Sequence, residues 1–116
     1  MKNLEKEKDI KKEIRRLNRI FKDVDKDRKD ASKGLIEESA FMKITLIELK
    51  VLIDENGPID EMQQGDYSIL REHPALKSYI SMINRYTSVS KELFNLLPKD
   101  IQKDEDDGFD AFLMKR

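Results

Sequence analysis

The chain has 116 residues, 38% of them apolar and 41% charged, with 4 Gly, 3 Pro, one His and no Cys. That length holds one domain, and that polarity is high for a large compact core but ordinary for helical or coiled-coil assemblies. With no Cys and a single His, disulfides, thiol catalysis and zinc sites of the usual Cys/His kind are excluded.

The net charge of −1 conceals an asymmetry. Residues 1–33 carry 13 Lys/Arg against 8 Asp/Glu, a balance of +5; residues 34–99 carry 7 against 10, or −3; residues 100–116 carry 3 against 6, also −3. A basic head and an acidic tail point to a polyanionic partner at one end. No apolar run approaches the roughly 18 residues that span a bilayer. The charged N-terminus has no apolar segment behind it, so the expectation is an intracellular protein with no membrane partner.

Residues 3–33 read as one helix, about 45 Å long. Lys8, Lys12, Arg15, Arg19, Lys22, Lys26, Lys29 and Lys33 recur along it at spacings of four and three. Ile10, Ile14, Leu17, Phe21, Val24, Ala31 and Leu35 recur at the same spacings two residues later, with Arg28 at the missing step. Two residues turn an α-helix by about 200°, so the cationic ridge and the apolar seam face opposite ways. Lys and Arg also suit the outer face of any coiled coil. The acids from Asp23 onward thin the ridge, leaving Lys8 to Lys22, with Lys11 and Arg16, as its positive section. A ridge of this kind holds phosphates rather than reading bases.

Gly34 reads as a break or kink. From Leu35 to Glu55 the pattern is helical and apolar on most sides, which in a chain this small calls for other subunits. Asn56-Gly57-Pro58 stops that helix. Gln63-Gln64-Gly65-Asp66 is a turn signal between Ile59–Met62 and Tyr67–Leu70, so residues 59–72 read as a short hairpin or irregular loop. Pro74 opens a third helix with the seam Leu76, Tyr79, Ile83, Tyr86, Leu93 and Leu97, Ser90 at the remaining step, and Pro98 closes it. Leu46, Leu49, Ile53, Tyr79, Ile83 and Tyr86 are the expected core and subunit contacts. His73 reads as a capping or surface residue, since no Ser, Asp or Cys pattern surrounds it. After Pro98 comes Lys103-Asp104-Glu105-Asp106-Asp107-Gly108, a spacer too charged to pack. It leads to an apolar tip, Phe109, Phe112, Leu113 and Met114, of the kind that docks in a partner's groove.

The reading is an all-α chain in three regions that opens with a long N-terminal helix or a helical hairpin. Residues 1–33 form a basic amphipathic helix, residues 34–99 a helical oligomerisation core, and residues 100–116 a flexible acidic tail. No phosphate-cradling loop or acid–base constellation is present, so no catalysis, cofactor, metal or small-molecule substrate is expected.

Three segments resemble the small subunits of tailed double-stranded-DNA phage terminases. They are Ala40-Phe41-Met42-Lys43-Ile44-Thr45-Leu46-Ile47-Glu48-Leu49-Lys50 followed by Ile53-Asp54-Glu55-Asn56-Gly57; His73-Pro74-Ala75-Leu76-Lys77-Ser78-Tyr79; and Leu93-Phe94-Asn95-Leu96-Leu97-Pro98-Lys99-Asp100 with its acidic, Phe-bearing tail. The chain departs from that family's pattern at Leu96-Leu97-Pro98, where many relatives carry a Gly-Leu-Thr-Pro-like turn. The resemblance implies a non-enzymatic ring in the cytoplasm of an infected or lysogenic bacterial host. Such a ring recognises viral DNA and delivers it to a large subunit that holds the ATPase and nuclease. Beside it, the residues single out Lys8, Lys11, Lys12, Arg15, Arg16, Arg19 and Lys22 for double-stranded DNA, and Phe109, Phe112 and Leu113 for docking to the large subunit. The alternative is a coiled-coil interaction or regulatory protein whose ridge only solubilises it.

Overall fold

The computed structural model describes residues 2–98, with side chains from Leu4 onward. It contains α1 (Lys2–Ile20), α2 (Lys26–Asn56), an antiparallel hairpin of β1 (Ile59–Gln64) and β2 (Tyr67–Glu72), and α3 (Pro74–Asn95). The chain is mostly helical, and the two-stranded sheet amends the all-α expectation.

Of the two N-terminal readings, the structure has the helical hairpin: residues 3–33, read as one helix from their spacing, are divided between α1 and α2. Asp23 and Asp25 are weak helix formers that bond locally to the backbone. The Asp25 backbone is extended, and its carboxylate accepts the Arg28 N–H at 3.0 Å as the α2 N-cap. Across the turn, Val24 N–H donates to the Phe21 carbonyl at 3.1 Å, and both side chains are buried. The apolar spacing therefore runs unbroken through a break in the helix. Replacing Asp25 by Ala removes the cap and is expected to cost about 1 kcal/mol. Thermal unfolding followed by circular dichroism should show it as a Tm lower by about 4–8 °C.

Gly34, expected to end the first helix, lies inside α2, and a Cβ built there meets nothing within 4 Å. Burial of Ile36, Ser39 and Ala40 just beyond it outweighs the roughly 1 kcal/mol that an interior glycine costs. Gly34→Ala is accordingly expected to raise the urea midpoint, by about 0.5–1 kcal/mol in stability.

The stop at residues 56–58 is where the sequence puts it. Gly57 takes φ 77° and donates its N–H to the Ile53 carbonyl at 2.7 Å. The hairpin pairs Ile59 with Glu72 through Gln64 with Tyr67, and Gly65 supplies φ 61° at the turn. Asp60 and Arg71 face each other across the strands at 3.0 Å. His73 caps α3, its Nδ1 accepting the Ala75 N–H at 3.0 Å ahead of Pro74. The third helix ends at Asn95, earlier than Pro98, and the turn that follows folds Leu97 back into the core.

α1 and α2 run antiparallel, pinned by Lys6–Glu48 at 2.8 Å and Lys43–Glu13 at 3.5 Å. The core gathers at the end where the α1–α2 turn meets the end of α3: Leu17, Phe21, Val24, Ile36, Leu93, Phe94 and Leu97. The radius of gyration is 17.8 Å, against about 13 Å for a compact chain of this length. The molecule is a rod, 63 × 33 × 21 Å. Towards its other end apolar side chains stay open in the single chain: Ile47, Val51 and Leu52 on α2, Ile59, Tyr67, Ile69 and Leu70 on the hairpin, and Ile80 on α3. β2 is exposed throughout, and a lone two-stranded hairpin is marginal in water.

Candidate nucleic-acid interface

α1 is amphipathic because its apolar residues return every three or four positions. The structure places Leu17 in the core and Ile10 and Ile14 half-buried on that side. Lys8, Lys11, Lys12, Arg15 and Arg19 are exposed on α1, and Lys22 is exposed in the turn after it. None of these six makes an ion pair among the described residues. Lys8, Lys12, Arg15 and Arg19 fall within about 60° of arc at 100° per residue, and Lys11 stands about 60° to one side. From Lys8 to Arg19 the row runs about 17 Å along the axis at 1.5 Å per residue. Lys6 lies on another side of α1, facing α2: it bridges to Glu48 and lies 4.8 Å from the centre of the Phe41 ring.

Arg16 does not belong to the row. It is only 7% exposed, and its Nε and Nη2 donate to the two carboxylate oxygens of Glu13, each at 2.7 Å. Glu13, 6% exposed, also receives Lys43 at 3.5 Å from α2. Around them stand the buried hydroxyls of Ser39 (α2) and Ser90 (α3), and Tyr86. The hydrogen bonds it donates to Glu13 hold the Arg16 pKa above its usual value, with burial opposing. Burial first, and the Glu13 charge second, push the Tyr86 phenol up. One polar layer thus joins all three helices beneath the ridge. Sequence reasoning placed Arg16 on the exposed ridge, and the structure corrects this because the guanidinium is buried against Glu13. The available signal was Ser90 standing at a seam position of α3.

Of the expected core and subunit contacts, Leu46 is buried and Leu49, Ile53, Tyr79, Ile83 and Tyr86 are half-buried. The expected docking residues Phe109, Phe112 and Leu113 lie outside the described residues, as does the whole acidic tail. Among the described residues, no three His, Asp or Glu side chains group so as to hold a metal ion, and no helix is long and apolar enough to cross a membrane.

No protein-family model, curated protein or solved structure matches this chain. The functional reading therefore stands on the exposed cations of α1, the uncovered apolar surface, and the resemblance of the three quoted segments.

Proposed function

We propose that the chain is the non-catalytic, DNA-binding subunit of a viral genome-packaging terminase. It assembles into a ring, holds duplex DNA through the α1 cations, and passes it to a large subunit through Phe109, Phe112 and Leu113. The observation that carries the proposal is the pairing, in one rod, of an unpaired cation row with apolar surface that a single copy leaves open. Apolar residues that stay exposed in one copy are covered when copies associate. Each subunit offers a few phosphate contacts, and a ring repeats them, so avidity rises without new chemistry.

Light scattering of the full chain together with duplex-DNA binding across a salt series tests this. The expected result is a closed oligomer whose DNA affinity falls steeply with salt. A monomer overturns the ring. An oligomer that ignores DNA at low salt leaves a coiled-coil interaction protein instead.

A further inference from the structure

A second group of cations lies round the corner from the α1 row. Asn18, Phe21, Lys22, Lys29, Ser32 and Lys33 line a shallow depression between the end of α1 and the first turns of α2. Lys29 and Lys33 are one turn apart on α2 and face the same way, while Lys22 approaches from the α1–α2 turn. All three are exposed, and none makes an ion pair among the described residues, not even with Asp30 beside them on α2. The floor is uncharged: Phe21 is buried, and the Ser32 hydroxyl is spent on the Lys29 carbonyl at 2.8 Å. Three ammonium groups around an uncharged floor, none of them ion-paired among the described residues, make a concave anion site.

The described chain ends beside this site. Leu97 packs in the same cluster as Phe21, so Pro98 leaves the fold at the lysine end of the rod. The sequence then runs to Asp104-Glu105-Asp106-Asp107, whose first acid is six positions beyond Pro98. Six residues reach about 20 Å at 3.3–3.6 Å each. So short a tether gives the acids an effective concentration on the order of millimolar at the lysines, enough to populate a contact that would be weak between separate molecules.

We propose that Asp104–Asp107 docks on Lys22, Lys29 and Lys33 of the same chain and there stands in for a phosphate backbone, competing with nucleic acid. The docking is independent of the DNA reading; the competition rests on it. Zero-length carbodiimide cross-linking of the full chain, in an equal mixture of light and isotopically heavy protein, tests the docking by mass spectrometry. Amide bonds should join the carboxylates of 104–107 to the three lysines within single chains and spare the exposed Lys50 and Lys77. Hybrid light–heavy links place the tail on a second copy and overturn the proposal, as do links spread evenly over all lysines. The competition is read with Asp104→Asn, Glu105→Gln, Asp106→Asn and Asp107→Asn combined. This variant should bind duplex DNA about tenfold more tightly at low salt, the gain vanishing at high salt as screening removes the contact. Equal affinity of variant and natural chain overturns the competition. Intrachain links in a protein that never binds DNA uphold the docking and overturn the nucleic-acid reading instead.

Discussion

Replacing Lys12, Arg15 and Arg19 together by Glu is expected to abolish retention of duplex DNA while leaving the oligomer intact. The three side chains are exposed, share one face of α1 and make no ion pair among the described residues. Their reversal therefore removes no packing, and only the electrostatics change. The row with Lys22 offers six cations per subunit. If all six touch phosphates, log affinity falls with log salt at a slope of about −5, and raising salt from about 50 to 200 mM weakens binding about 10³-fold. Reversing three charges removes half of those contacts and sets repulsion in their place, which exceeds what the remaining three can hold. The check is a filter or gel-shift titration at low salt beside light scattering of the same variant. Binding that survives unchanged makes the row a solvated face. A single Lys12→Gln change should flatten the salt slope by about one unit, whereas Lys77→Gln on α3 should not alter it.

Elements whose ends carry their own stop chemistry were legible in the sequence. Asn56-Gly57-Pro58, the Gly65 turn and His73-Pro74 each fix a boundary through residues within two positions of it, so neighbouring residues suffice to read them. The break at residues 21–25 was not legible, because Phe21 and Val24 keep the three-residue spacing of a helix while the backbone between them turns. A core packs side chains by where they end up in space, and a tight turn can return two of them to the same place a helix would. Gly34 misled for the opposite reason: its conformational cost is real but smaller than the burial on the residues that follow it. Arg16 was misplaced because its sequence neighbours are cations, whereas its environment is set by Glu13 beneath it and by Ser39 and Ser90 from helices far along the chain. The open apolar surface was anticipated from the over-apolar second helix, and the structure adds the hairpin to it.

Glu13→Ala is expected to be the most destabilising single change beneath the ridge. Arg16 would be left buried with its guanidinium stripped of both 2.7 Å carboxylate bonds, and Lys43 would lose its acceptor from α1. Removing one partner of a buried ion pair costs about 3–5 kcal/mol, since the remaining charge keeps its desolvation penalty and loses its carboxylate. Small domains hold about 5–15 kcal/mol in total, so the variant should be largely unfolded at modest urea, with a midpoint far below that of the natural chain. Replacing both partners separates the charge effect from packing. Glu13→Leu with Arg16→Met substitutes apolar groups of similar volume, and such swaps are often neutral or stabilising. Recovery of the midpoint in the double variant, against collapse in the single one, assigns the loss to the buried Arg16 charge without its carboxylate. Tyr86 gives an independent reading of the same layer. Its raised pKa means that the folded state keeps the phenol proton after the unfolded state, with a pKa of about 10, has begun to release it. The contribution of Tyr86 to stability should therefore be constant below that pH and fall as pH rises above it. Tyr86→Phe should remove its share of that fall, and alkaline urea titrations of the two proteins measure the difference.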